Sequence, residues 1–137
     1  MTTTPVTDLS STDAREMLER HELGRLAFHL GDEVHITPVN YAVDRYGRVV
    51  LRTAEGSKLL GMTMDADVAF EIDEVDGFRA RSVVIRGRAH VLRGAEAEEA
   101  DLLPRRPWLE GMREVVVAIT VDEMTGRSFT LRPPTSV

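Results

Sequence analysis

The residues with the most evident capacity for chemistry lie in one short segment, Arg52-Thr53-Ala54-Glu55-Gly56-Ser57-Lys58. A strand pattern precedes it, a glycine breaks it, and a hydroxyl and a lysine open a helical pattern after it. Free backbone amides and the dipole at a helix N-terminus favour an anion at such a place. Ser57 can donate a hydrogen bond there, and Arg52 and Lys58 can supply charge. The commoner arrangement for this spacing leaves Ser57 as a helix cap and Lys58 in solvent. The segment lacks the two-glycine pattern with lysine followed by a hydroxyl residue, so it is not a P-loop.

A second constellation runs along Arg79-Ala80-Arg81-Ser82-Val83-Val84-Ile85-Arg86-Gly87-Arg88. Strand alternation puts Arg79, Arg81, Val83 and Ile85 on one face and Ser82, Val84, Arg86 and Arg88 on the other. With Arg93, this is a basic cluster in a chain of net charge −6. Such a bias suits an anionic ligand or an acidic partner, although ordinary surface charge explains any single arginine. His21, His29, His35 and His90 show no metal-ligand spacing. His29 and His35 can approach across a hairpin, but two histidines make weak zinc evidence, and all four are read as surface or packing residues. The acids around Glu96, Glu98, Glu99 and Asp101 are read as a solvated helix face.

These groups need elements to hold them. Leu9, Ser10 and Asp13 form an N-terminal helix signature, and Ala14, Met17 and Leu18 share one face, so a helix is expected over Ser11 to His21, stopped by Gly24. The period then changes to two. Strands are expected from Arg25, from Val34 to Val43, and from Arg48 to Thr53, with turns at Gly31-Asp32 and Asp44-Gly47. Pro38 has no amide donor, which makes its strand an edge, a bulge, or open to a ligand. A short helix is expected over Gly56 to Met64, a half-buried strand at Val68, Phe70 and Ile72, and a turn at Asp76-Gly77. A long strand from Arg79 to Leu92 should bend or bulge at Gly87. A helix at Glu96 to Leu103 and a loop from Arg105 to Arg113 follow. Val115 to Val121 reads as a buried central strand, and Thr125-Gly126 as a turn into a last strand. About seven strands with short connections, and two or three flanking helices, point to a small antiparallel β-barrel.

The chain has 137 residues, 42% hydrophobic and 29% charged, which suits one domain with one core. That domain is expected over residues 9–132, between loose tails at 1–8 and 133–137. The acidic balance argues against nucleic acid as a partner, yet leaves room for a small anion at a local basic cluster. No cysteine is present, which excludes disulfides, thiolate catalysis and cysteine-bound metals. Residues Met1 to Asp8 show no apolar signal segment, and no apolar run reaches the roughly 20 residues that span a bilayer. A cytoplasmic protein without membrane contact is the default expectation.

Three ordered segments add to this reading. They are Gly24-Arg25-Leu26-Ala27-Phe28; then Pro38-Val39-Asn40-Tyr41, followed by Leu51-Arg52-Thr53-Ala54 and Gly56-Ser57-Lys58; then Ser82-Val83-Val84-Ile85-Arg86-Gly87-Arg88-Ala89. Over about residues 9–132 the set resembles the pyridoxamine 5′-phosphate oxidase-like family of flavin-binding split barrels, in particular its small branch related to nitroimidazole-resistance proteins. The resemblance implies a mainly β, six-stranded antiparallel split barrel, working as a homodimer with flavin mononucleotide (FMN) between protomers. It implies that Arg52, Thr53, Ser57 and Lys58 hold phosphate and ribitol, that Pro38, Val39 and Asn40 run beside the ring, and that Ser82 approaches from the long strand. It adds Trp108 and Arg127 as contributions from the partner chain.

Two positions depart from the family pattern. Arg52 stands where many relatives carry histidine, and Arg81 where many carry tryptophan. Loss of that aromatic removes a stacking surface worth about 1 kcal/mol, while the arginine suits a more anionic ligand. A deazaflavin cofactor is the alternative. In a flavin-dependent oxidoreductase the cofactor does the redox chemistry, so no obligate catalytic side chain is expected, and the small substrate is not readable. A non-catalytic flavin-binding protein, or an interaction protein with an empty groove, are the competing classes.

Overall fold

The computed structural model describes residues 6–54, 67–103 and 114–131. The helix expected over Gly56 to Met64 and the loop expected from Arg105 to Arg113 lie outside the described residues, and with them Ser57, Lys58 and Trp108.

Strand β1 (Thr7–Asp8) precedes helix α1 (Ser11–Arg20). Residues 7 and 8 are therefore not loose, because their backbone pairs with a late strand of the sheet. The α1 cap forms as its sequence dictates, with the Ser10 hydroxyl accepting from the Asp13 amide at 3.0 Å. Ala14, Met17 and Leu18 are its buried face. The helix ends at Arg20, since His21 is already extended. Gly24 does not stop it. It lies inside β2 (Leu23–Leu30), pressed against the Phe70 ring.

The turn at Gly31-Asp32 joins β2 to β3 (Glu33–Asn40). The expected single strand from Val34 to Val43 is broken at Tyr41, and β4 (Ala42–Val43) is a separate short strand. Then come β5 (Val49–Ala54), β6 (Asp67–Asp76), β7 (Arg79–Val91), helix α2 (Ala95–Ala100) and β8 (Glu114–Thr130). One antiparallel sheet runs β3-β2-β6-β7-β8-β5-β4, with β1 on β8, and curls into a half-barrel. The mainly β split-barrel architecture is the expected one. Pro38 is accommodated because β3 is an edge.

Thr125-Gly126 is not a turn: β8 passes straight through it. The glycine is there for close approach. A β-carbon on Gly126 would sit 3.0 Å from the Leu9 side chain and 3.1 Å from Ala14, so its absence lets the α1 region lie on the strand. The irregularity expected at Gly87 is real. The β7–β8 register shifts between Arg86 and Gly87, leaving Asp122 as the extra residue on β8.

Strand β5 and the first part of β8 are buried on both faces. Val49, Leu51, Val117 and Ile119 join the main core, while Val50, Val116 and Ala118 meet Leu92 and Ala100 under α2. That double burial is why Val115 to Val121 reads as an apolar run interrupted only by Thr120.

Tyr41 ties the helix to this core. Its ring packs edge-on to Phe70 at 4.9 Å, and its buried hydroxyl donates to the Leu18 carbonyl. Burial, then the nearby Glu22 charge, pushes the phenol well above its ordinary value of 10.0. The folded state thus holds the proton more tightly than the unfolded chain, so stability falls as pH rises above that ordinary value. A Tyr41→Phe variant should lose about 1–2 kcal/mol by orphaning the carbonyl. It should also show a flatter alkaline stability curve, both read from urea midpoints across pH.

Candidate functional site

The alternation that puts Val50 under α2 puts Arg52 there as well. Its guanidinium reaches the C-terminal end of α2, where Nη2 donates to the Ala100 carbonyl and Nη1 meets Asp101 Oδ1, both at 3.0 Å. A helix end rich in carbonyl oxygen attracts a cation. The side chain is 8% exposed, so a full positive charge lies almost buried. Further ties fix this corner. Arg45 pairs with Glu99 at 2.7 Å and Arg48 with Glu96 at 3.3 Å. Arg48 also binds Asp44 at 2.7 Å, whose carboxylate accepts the Tyr46 and Arg48 amides and shapes the turn.

Beside Arg52 a cavity of about 230 Å³ opens between the end of α1, the β3–β4 junction, β5 and α2. Its polar lining carries the acids Glu19 and Glu22 as well as Arg20, His21, Asn40 and Arg52. Two of the sequence-nominated residues, Asn40 and Arg52, are thus brought to one cavity from strands that lie near opposite ends of the sheet order. Thr53 is buried on the opposite face of β5. Val39 points into the core, and Pro38 is exposed opposite Arg25. Ser82 and Arg127 face each other across β7 and β8. Arg81 lines a second cleft, between α1 and β7.

His21, read from sequence as a surface or packing residue, lines the cavity and makes a 2.6 Å hydrogen bond to Glu74. Glu74 also takes Arg20 at 2.8 Å and Arg81 at 3.8 Å. The His21 hydrogen bond, with Arg20 behind it, holds the Glu74 carboxyl below the ordinary range. Nothing in the sequence joined His21 to a residue in another strand. His29 and His35 are not register partners across the hairpin: His35 stacks on Phe28 at 5.4 Å, and His29 lies opposite Val34.

The pyridoxamine 5′-phosphate oxidase family matches this sequence over residues 10–128. The chain belongs to that family. Its fold has counterparts among solved structures. A Corynebacterium glutamicum protein is 41% identical, with 98% of this chain and 100% of that one covered at a TM-score of 0.84. The FAD binding protein from Mycobacterium smegmatis is 32% identical, with 92% and 100% covered, also at 0.84. A Bacteroides thetaiotaomicron 5-nitroimidazole antibiotic resistance homologue, 14% identical over 95% of this chain and 91% of that one, shares the fold at 0.76. The resemblance to the oxidase-like family read from the three segments is therefore a family relationship. Oxidase-family membership gives the fold, and the chemistry of this chain rests on its own residues.

Proposed function

We propose that this chain binds a flavin nucleotide through its phosphate and serves as a flavin-dependent oxidoreductase for a small molecule. The observation that carries the reading is Arg52, an almost buried guanidinium beside a cavity that Asn40 also lines. A guanidinium presents five donors in a planar fork, the geometry that matches an oxyanion. Such a buried cation fits a phosphate monoester better than a neutral ligand.

In this reading Arg52, with Ser57 and Lys58, holds the phosphate and ribitol, while the Thr53 side chain faces the other side of β5. Pro38, Val39 and Asn40 lie along the ring, and Arg81, Ser82, Trp108 and Arg127 complete the site. When bound, the flavin supplies hydride and electron transfer, and the protein's part is to orient it and exclude water. FMN is the first choice. The dinucleotide FAD is the second, favoured by the 32% identity to the M. smegmatis FAD binding protein.

A homodimer belongs to the same proposal. Val34 and Ile36, 83% and 70% exposed, share with Pro38 the outward face of edge strand β3. Leu23, 57% exposed, adjoins them on β2. An apolar face of this kind is what a second copy would cover, and a protomer boundary there would lie next to the ring-side strand.

The test is an absorption spectrum of the purified chain, titrated with FMN and FAD, with the chromophore identified by mass spectrometry. A bound flavin of either kind supports the reading, and its mass decides between the two. A chain that stays colourless and ignores both flavins overturns it.

A further inference from the structure

A cleft on the other side of α1 is lined by a different set of charges. Its helix wall carries Asp13, Glu16 and Arg20. Its sheet wall carries Arg79, Arg81 and Ser128. The volume is about 390 Å³.

The basic groups outnumber the acid that reaches them. Glu74 is the only carboxylate within ion-pair distance of Arg81 among the described residues. It stands 3.8 Å from Arg81, while accepting closer contacts from Arg20 at 2.8 Å and His21 at 2.6 Å. One carboxylate thus serves three cationic or hydrogen-bonding side chains, and Arg81 has the loosest hold on it. Asp76 is the cross-strand neighbour of Arg79, yet among the described residues Arg79 has no ion-pair partner. Asp13 and Glu16 line the facing wall without bridging the gap to either arginine. In a chain with 23 acidic and 17 basic side chains, Arg81 thus has one loose ion pair and Arg79 none among the described residues. Guanidinium groups two residues apart on one strand face project side by side, the arrangement that grips a tetrahedral oxyanion from two directions.

We propose that this cleft is a binding site for a phosphate ester, its phosphate seated on Arg79 and Arg81 and its far end toward α1. Asp13 and Glu16 then accept hydrogen bonds from hydroxyl or amino groups of the ligand body, and Ser128 adds a hydroxyl on the phosphate side. Arg20 marks the end of the cleft, kept in place by Glu74. The cleft is a different one from the Arg52 cavity, although Arg20 lines both and the flavin reading also uses Arg81.

The test uses the full chain, with inorganic phosphate as probe and the arginine Nε–Hε resonances as readout. Saturable shifts at Arg79 and Arg81 are expected. An Arg79→Gln, Arg81→Gln variant should weaken binding by about tenfold or more. An Arg86→Gln, Arg88→Gln variant removes the same charge from elsewhere on the same strand and should leave binding intact. Non-saturating shifts, or equal loss in both variants, would overturn the proposal. A second arm repeats the titration after adding FMN or riboflavin. Phosphate shifts that persist with FMN present identify a separate phosphate ester as the ligand. Shifts reproduced by FMN but not by riboflavin identify the flavin's own phosphate as the oxyanion. Because the first arm needs no flavin, a chain that binds none still tests the cleft.

Discussion

Replacing Gly87 with alanine should destabilise this protein by about 3 kcal/mol or more, a large part of the 5–15 kcal/mol that holds a domain of this size. A β-carbon built at Gly87 lies 1.9 Å from the carbonyl oxygen of Thr120. That oxygen belongs to the backbone of β8, so no side-chain rotation relieves the clash, and truncating Thr120 would not help. The carbonyl also cannot retreat alone. It sits one residue from the bulge, between ladder pairs that run from Arg79↔Thr130 to Val91↔Val117. Either the bulge opens or both strands separate locally, and each course exposes core residues such as Ile85 and Ile119. The measurement is urea unfolding of the alanine variant beside the parent. A midpoint unchanged from the parent would mean that the two strands are not held this close together.

The second large effect is expected at Arg52, and it separates two roles of one side chain. Arg52→Met should cost about 1–2 kcal/mol of stability by removing the bonds to α2. The Ala100 carbonyl keeps its other donor, the Leu103 amide at 3.1 Å, so the structural loss stays moderate. Binding of FMN should fall by about thirtyfold, the equivalent of one charge-assisted phosphate contact of about 2 kcal/mol. Riboflavin, which has the ring but no phosphate, should bind the variant and the parent alike. Arg52→Lys should fall between them, since the ammonium keeps charge but loses the planar fork. If riboflavin and FMN weaken together, Arg52 is a strut between β5 and α2 and not a phosphate ligand.

Much of the fold was legible because its signals are local. The alternation at Val68, Phe70 and Ile72, the capping pair Ser10 and Asp13, and the glycine inside the β7 pattern each announce their structure within a few residues. Gly126 was misread because a glycine before a strand pattern looks the same whether the chain turns or something lies against it. Only Leu9 and Ala14, more than a hundred positions away, decide which. Gly24 failed in the same way, through Phe70. The site was legible in its parts: Arg52 and Asn40 could be nominated from type and context. That they share a cavity with His21 and Tyr41 could not be read, since the cavity is made where four separate elements converge, and spacing along a chain does not report convergence.

The length of β8 has a consequence for how the protein is made. Its residues pair with β5, β7 and β1, all completed earlier in the chain. As the chain leaves the ribosome, β5 has only the two residues of β4 beside it, and β7 has a ladder on one side alone. The apolar run Val49-Val50-Leu51 then waits on an open edge until residues near 119 emerge to cover it. Synthesis at about 5–20 residues per second makes that wait several seconds, long beside the microseconds in which hairpins close. Neighbouring nascent chains on one message therefore present matching bare edges to each other. Yield of native protein should depend on translation speed and on chaperone cover over that interval more than on the final stability of the barrel.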